Sequence, residues 1–300
     1  MIKTLRKLVP YFLRAVEWGE LLNGLAAILL GMAFTYHYGY QVYWGDWLRI
    51  SLWYLFYKSA VFSLNALFTD RVAQAPLEGD TGRLSPADFR GLLARFLWVL
   101  VILFVSMSFL PLIQMLAAGR LTRLTAIILA LVYLGDLLFL IERSREWLCG
   151  FQELFYGFIT AFLLPSLFFS FTRDYLKLSF VWIAFPLFVQ LIAWKLTINL
   201  ENRGNGREVS AGSMLERLDA LNALSITATL LLVGALAIFL DRELLPLWAK
   251  LTLAPLGLAS ALLVYRSVKK QHPNWDWAVP LIRFLPLLSI FVMILSLWNH

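Results

Sequence analysis

The sequence predicts an all-α integral membrane protein in which nine transmembrane helices form a single bundle. Its composition is 60% hydrophobic and only 15% charged, and its mean hydropathy is +0.73. A soluble domain carries roughly 25% charged residues, so an ordinary soluble fold is excluded. The apolar residues also occur in runs of about 20, which is the length needed to cross a bilayer. We therefore expect residues 1–300 to form one transmembrane domain.

The first predicted element is an amphipathic interfacial helix over residues 1–18. Its apolar residues recur at helical spacing and its basic residues lie between them: Ile2, Leu5, Leu8, Val9, Phe12, Leu13 and Val16 against Lys3, Arg6, Lys7 and Arg14. Such a pattern predicts a helix on an anionic membrane surface, bent at Pro10. A signal peptide also begins with basic residues, but no small-residue cleavage site follows this run.

Nine later segments meet the length rule for a membrane span. Their limits are Leu21 to Tyr38, Trp47 to Phe68, Leu92 to Ile113, Leu121 to Ile141, Leu148 to Phe169, Leu176 to Ile198, Asp219 to Leu240, Leu244 to Tyr265 and Ala278 to Trp298. We read each of them as one helix of the bundle.

The distribution of Lys and Arg between the connections predicts the orientation of the chain. Fifteen of these residues fall in the N-terminal segment and the even-numbered connections, and five lie on the opposite side. Positive residues collect in cytoplasmic loops, so we expect a cytoplasmic N-terminus and His300 on the other side. The expected location is a bacterial inner membrane.

Two polar stretches interrupt the apolar pattern, at Asn65 to Pro86 and Asn199 to Arg217. We interpret them as cytoplasmic loops over residues 69–91 and 199–218. Backbone outside helices cannot face lipid, so these loops face water or a cavity. Both lie on the same predicted side, which favours a shared site.

Ionisable and amide side chains inside the spans point to the same side of the bundle. They are Lys58, Asn65, Asp136, Glu153, Lys195 and Asn199. Intramembrane ionisable groups are costly and therefore mark functional sites. One interpretation is a polar pocket beneath the two loops. The other is an ion-pair network that ties helices together, for instance Lys58 with Asp136 and Lys195 with Glu153. Arg283 in the last span is expected to reach the interface or to pair with a neighbour.

Several classes of site are disfavoured by the sequence. The single Cys149 excludes an intrachain disulfide, and the three histidines lie far apart in sequence. A metal bound by His or Cys is therefore not expected. No basic stripe interleaved with aromatic residues is present, so we expect no nucleic-acid partner.

The chain resembles the UbiA superfamily of intramembrane prenyltransferases along nearly its whole length. The resemblance rests on four stretches: EWGELLNGLAAILLGMAF, GRLSPADF, ERSREWLCGFQELFYGF and ENRGNGRE. It implies nine helices with acidic motifs after helices two and six. It also implies two Mg²⁺ ions that hold the diphosphate of a prenyl donor and assist its departure as Lewis acids.

Both acidic motifs are degenerate in this sequence. The first reads Asn-Asp-x-x-Asp-x-x-x-Asp in the family; here Asn65 is kept, the Asp positions are Ala66, Thr69 and Ala73, and Asp70 lies one residue out of register. The second is represented by Asn199, Leu200, Glu201 and Asn202. An amide oxygen can bind Mg²⁺ but does not offset its charge, so two-metal catalysis is expected to be impaired.

The resemblance and the polar residues together give the predicted site. If the protein is active, Asp70 and Glu201 are the catalytic candidates, and the metal ligands are Asp70, Glu78, Asp80 and Glu201. The predicted binding residues for an isoprenoid headgroup are Lys58, Asn65, Arg71, Arg143, Glu153, Lys195, Asn199, Asn202 and Arg203. Lys and Arg side chains bind phosphate as point charges or bidentate partners.

Two functions follow from this set of residues. The favoured one is a homologue that keeps a lipid-binding cavity but has lost Mg²⁺-diphosphate catalysis. Its ligand would be an isoprenoid, quinone or pigment-type molecule, and it would act in binding, in assembly or as a subunit of a membrane complex. The alternative is an active prenyltransferase that moves a prenyl group to an aromatic or other hydrophobic acceptor and requires Mg²⁺.

Overall fold

The computed structural model describes residues 8–9, 11–13, 16–68, 86–140, 150–171, 175–204, 213–241, 244–269 and 278–299. The chain divides into two compact units. One comprises Met1–Leu21 with Leu48–Gly119, and the other comprises Leu22–Trp47 with Arg120–His300. We call them unit 1 and unit 2. That the whole chain forms one transmembrane domain stays a prediction.

The described residues are helical and contain no strand. The long helices are α1 (Trp18–His37), α2 (Trp44–Phe68), α3 (Pro86–Ala117), α4 (Arg123–Leu140), α5 (Gln152–Ser170), α6 (Ser179–Gly204), α7 (Ala220–Leu240), α8 (Leu247–Lys269) and α9 (Ala278–Trp298). A short 3₁₀ turn, Met214–Glu216, precedes α7.

Seven of these helices are long and apolar enough to cross a membrane. The two others in the described residues are α2, which carries Asp46, Arg49 and Lys58, and α4, which is shorter, with 18 residues. A polytopic helical membrane protein is therefore confirmed. Nine crossings and the interfacial N-terminal helix stay predictions.

The predicted loop boundaries need correction at both polar stretches. Residues 199–204 are the C-terminal end of α6, and residues 86–91 are the start of α3. The prediction ended each helix where its hydropathy falls. Polar residues can nevertheless continue an α-helix, because the backbone bonds remain satisfied within it. By contrast, α9 has the predicted bounds, Ala278–Trp298.

Unit 1 is built around the contact of α2 with α3. Its buried cluster consists of Leu8, Ala66, Phe89, Leu93 and Leu97, and Tyr11 and Phe12 pack against it. Leu8 belongs to the N-terminal segment, so the apolar side of that segment contacts protein at this point. Most of the outer surface of α3 is exposed and apolar.

Unit 2 is organised around α6. This helix packs against α5, α7 and α9, while α8 packs against α7 and α9 and α4 packs against α5. Large apolar side chains fill the space between them, among them Phe34, Leu187, Leu191, Trp194 and Met293. α6 is therefore the interior helix of this unit.

α5 contains one wide turn that adjusts its path. Residues Ile159–Leu163 form a π-turn in which the Leu164 N–H bonds to the Ile159 carbonyl. Pro165 follows directly and has no N–H for the residue four positions earlier. The turn lies beside α1 at Gly31, where an added Cβ would lie 2.2 Å from the Pro165 carbonyl oxygen. Only glycine fits at this contact.

Candidate functional site

The α5–α6 pair positions the polar residues of unit 2. Gly150 has φ +96°, a left-handed conformation that favours glycine, and it leads the chain into α5. Gly157 lies one turn after Glu153, and a Cβ there would lie 2.9 Å from Ile192 Cγ1 of α6. The two helices therefore approach closely just beyond Glu153. The three residues Gly150, Glu153 and Gly157 are the ones that carried part of the sequence resemblance.

The centre of the site is the carboxylate of Glu153. Its Oε1 accepts a hydrogen bond from Asn199 Nδ2 at 2.9 Å and another from the Ser213 hydroxyl. Its Oε2 accepts one from the Met214 backbone N–H at 3.0 Å. Asn199 Nδ2 also lies 3.1 Å from Ser213 Oγ. We call Glu153, Asn199 and Ser213 the carboxylate triad.

The carboxylate triad is closed to solvent. All three of its residues are 0% exposed. A buried carboxylate is tolerated only when hydrogen bonds replace the lost water, and three donors do so here. A ligand or cation could reach Glu153 only if the side chains that cover it moved.

A second group of polar residues lies one helical turn from the triad. Asn23 Nδ2 of α1 donates to the Tyr156 hydroxyl at 3.2 Å, and the Tyr156 ring stacks on Trp194 with 5.5 Å between centroids. The Lys195 ammonium lies 5.8 Å from the centre of the Tyr156 ring. Lys195 is only 1% exposed. Glu153, Lys195 and Asn199, all predicted site residues, are thus buried in the same α5–α6 region. The predicted pairing of Lys195 with Glu153 stays a prediction.

The last turn of α6 holds the end of the second polar stretch. Arg203 Nη1 donates to the carbonyls of Leu215 and Leu218, each at 3.1 Å. Glu201 pairs with Arg283 of α9. Arg283 was predicted to reach the interface or to pair with a neighbour, and the pairing is confirmed. Asn202 is half-buried on the same turn.

Two predicted site residues belong to unit 1. Lys58 is buried within α2, at 5% exposure, and Asn65 is half-buried seven residues later on the same helix. Asp136, which belongs to unit 2, is half-buried on α4. That these groups share a pocket with Glu153 stays a prediction.

The remaining predicted residues lie outside the described part of the chain. They are Asp70, Arg71, Glu78, Asp80 and Arg143. Among the residues that the structure does describe, no group of three His, Cys, Asp or Glu side chains could hold a metal. Three of the four predicted Mg²⁺ ligands are not among those residues. The metal site therefore stays a prediction.

Ser213 is the residue of the triad that the sequence analysis missed. A signal for it was present, because Ser213 and Glu216 have the Ser-x-x-Glu spacing of a helix-capping box. In the structure the Ser213 side chain accepts the Leu215 N–H at 3.2 Å and so caps the short 3₁₀ turn. Its second role, as a donor to Glu153, depends on a contact 60 residues away in sequence.

Comparisons with known proteins show a likeness of fold. No family model matches the sequence, and no curated protein matches it. Among solved structures, the chain is similar to digeranylgeranylglyceryl phosphate synthase in membranes, with a TM-score of 0.57 and 11% identity. The match covers 98% of this chain and 100% of that one. That enzyme is a UbiA-type prenyltransferase. The likeness shows a shared fold over the whole chain.

Proposed function

We propose that this chain is a membrane protein of prenyltransferase-like fold that holds an isoprenoid-type lipid and does not ionise a prenyl diphosphate with Mg²⁺. The ligand class is an isoprenoid, quinone or pigment-type lipid, and the protein acts in binding, in assembly or as a subunit of a membrane complex. The site faces the cytoplasm of a bacterial cell.

The observation that carries this proposal is the state of the second motif. Asn199 and Glu201 are the residues that represent it, and each is bonded to another protein side chain: Asn199 to Glu153, and Glu201 to Arg283. A Mg²⁺ ion needs free hard oxygen ligands and gives up its water reluctantly. The Asn199 amide carries no charge, and the one carboxylate of this motif, Glu201, already pairs with Arg283, so little negative charge is left to hold Mg²⁺. The helices around it bury mostly apolar side chains, which suit a lipid.

Lipid binding without metal is tested on purified protein in nanodiscs by calorimetry. We expect geranylgeraniol to bind equally well with Mg²⁺ and with a chelator, because no metal bridge is needed. We also expect geranylgeranyl diphosphate to gain no affinity from Mg²⁺. Asp70→Ala serves as the matched control and should leave both results unchanged. Lipids extracted from protein purified from native membranes, identified by mass spectrometry, then name the natural ligand.

The opposite calorimetric result would replace this proposal. If Mg²⁺ is required for binding of the diphosphate and Asp70→Ala removes that requirement, the acidic residues of the first stretch form a metal site. The lipid-binding proposal is then abandoned.

A second candidate, an active prenyltransferase, is favoured by the full-length likeness to a synthase. In that case Asp70, Glu78, Asp80 and Glu201 hold Mg²⁺, and Lys58, Asn65, Arg71, Arg143, Lys195, Asn202 and Arg203 bind the diphosphate and the polar part of the donor. Transfer of a radiolabelled prenyl group to a membrane extract measures it. Asp70→Ala and Glu201→Gln should each abolish transfer; activity that survives both would exclude this site.

A further inference from the structure

The donors and acceptors of the carboxylate triad can be counted one by one. A serine hydroxyl gives one hydrogen and accepts two. The Ser213 hydrogen goes to Glu153, and its two acceptor positions receive the Leu215 N–H at 3.2 Å and Asn199 Nδ2 at 3.1 Å. Asn199 Nδ2 has two hydrogens, and they go to Glu153 and Ser213. Every hydrogen of the triad therefore has an acceptor.

This count fixes the direction of the Asn199 amide. The oxygen and nitrogen of an amide are assigned from its hydrogen bonds. With the amide turned round, its oxygen would face Ser213 Oγ and Glu153 Oε1, and only the serine hydrogen would remain between three oxygens. Side chains that are 0% exposed are out of reach of bulk solvent, which would otherwise screen the repulsion between those oxygens. The nitrogen must face the carboxylate.

We propose that Asn199 is a positioning residue that acts as a hydrogen-bond donor to Glu153, and that the carboxylate triad anchors residues 213–218, at the end of the second polar stretch, onto α5 and α6. This assigns the amide nitrogen of Asn199 to holding Glu153 in place. This role belongs to the protein itself and requires neither lipid nor metal.

The contacts of the anchored segment support this role. Met214 gives its backbone N–H to Glu153, and Leu215 gives its own to Ser213. The carbonyls of Leu215 and Leu218 are held by Arg203, one helical turn after Asn199. The backbone of this segment is therefore bonded to the start of α5 through the Met214 N–H and to the end of α6 through the carbonyls of Leu215 and Leu218. The bonds made by the triad are the buried part of this attachment, whereas Arg203 is exposed.

The decisive variant is Asn199→Asp, which would restore the acidic residue of the motif. It places a carboxylate oxygen where Nδ2 now lies, 2.9 Å from Glu153 Oε1. Two carboxylates at that distance cannot both ionise without a cost that burial makes large. In nanodiscs with a chelator, we expect the apparent Tm to fall by roughly 10 °C.

The rescue variant combines Asn199→Asp with Glu153→Gln. Glu153→Gln alone should lower the apparent Tm. The amide hydrogens of the new glutamine would point at groups that now donate to Glu153, so one of these hydrogen bonds would be lost. In the double variant the amide and the carboxylate exchange places, so a donor again meets an acceptor. We expect the double variant to recover at least half of the loss caused by Asn199→Asp. A double-mutant cycle of this kind isolates the coupling between the two side chains.

A matched control separates the triad from a general effect of charge. Asn202→Asp makes the same chemical change on the same helix at a half-buried position outside the triad. Its apparent Tm should change by less than about 2 °C. If Asn199→Asp yields no folded protein, recovery of monodisperse protein in the double variant gives the same comparison.

Three results would overturn the proposal. The first is an Asn199→Asp variant as stable as the wild type in chelator. The second is a double variant no more stable than Asn199→Asp. The third is Mg²⁺ stabilisation of the wild type that Asn199→Asp strengthens, because it would make this residue a metal ligand.

Discussion

Helices α3 and α6 are both long and apolar, yet one is mostly exposed and the other mostly buried. Only 22% of the spanning window of α3 is buried, compared with 72% of that of α6. α3 is the more apolar of the two, while α6 buries Gln190, Lys195 and Asn199. In a water-soluble protein, the more apolar of two helices would be the interior one. Lipid tails are as apolar as leucine, so here polar side chains mark the interior.

The largest expected effect comes from the packed side of this comparison, at Gly31 of α1. Gly31→Ala places a Cβ 2.2 Å from the Pro165 carbonyl oxygen, and backbone cannot rotate away. We expect a loss of about 3 kcal/mol, seen as a lower apparent Tm and a lower yield of folded protein. Gly91→Ala in α3 is the control, because a Cβ there meets nothing within 4 Å. Equal effects at the two glycines would contradict the packing described for α1 and α5.

The exposed face of α3 gives the next prediction. Ile102 is 64% exposed near the middle of that helix. If this face contacts lipid, Ile102→Arg should cost about 2.5 kcal/mol, because a charge near the bilayer centre is poorly solvated. Insertion efficiency in microsomes measures this cost, and Ile102→Ala is the control. An arginine tolerated as well as alanine would place this face in water or against protein.

A smaller effect is expected where α5 meets α6. A Cβ at Gly157 would lie 2.9 Å from Ile192 Cγ1, a side-chain atom that can move, and 3.1 Å from the Phe188 carbonyl oxygen, a longer approach to backbone than the one at Gly31. Gly157→Ala should therefore cost about 1.5 kcal/mol, measured as a fall in apparent Tm. Gly204→Ala, at the end of α6 with nothing within 4 Å, should be neutral or slightly stabilising. If Gly157→Ala were neutral too, α5 and α6 would lie farther apart than described.

The smallest effect is expected at the ion pair of Glu201 with Arg283. The Arg283 side chain is 47% exposed, so water screens the attraction. Arg283→Ala should change stability by about 0.5 kcal/mol or less. A loss comparable with that of Asn199→Asp would show that this pair, rather than the carboxylate triad, holds the end of α6. The reciprocal exchange, Glu201→Arg with Arg283→Glu, controls for loss of side-chain volume.

The sequence predicted the helices well because their main signal is local. A run of about 20 apolar residues needs no knowledge of the partner helices, and the α9 bounds were predicted to the residue. The end of α6 was placed six residues too early, since hydropathy reports the edge of the apolar run and the helix continues to Gly204.

The candidate site was predictable only in part. Glu153, Lys195 and Asn199 were selected because ionisable and amide side chains are rare in such apolar segments, and the structure brings them into one buried region. Their partners were not predictable, since Ser213 and Asn23 reach them across large sequence separations. The direction of a side-chain hydrogen bond depends on such contacts. The role of Asn199 as a donor therefore required the fold.

The π-turn at Ile159–Leu163 bears on how this chain should be aligned with its relatives. A π-turn accommodates one residue more than the α-helical turn it replaces. A relative with an uninterrupted α5 would therefore be one residue shorter between Glu153 and Ser170. An alignment that puts no gap there shifts one of these two residues by one position, which is about 100° around the helix axis. A one-residue insertion inside a spanning helix can thus put two sequences out of register in an alignment, although both ends of the helix stay in the same place in the fold.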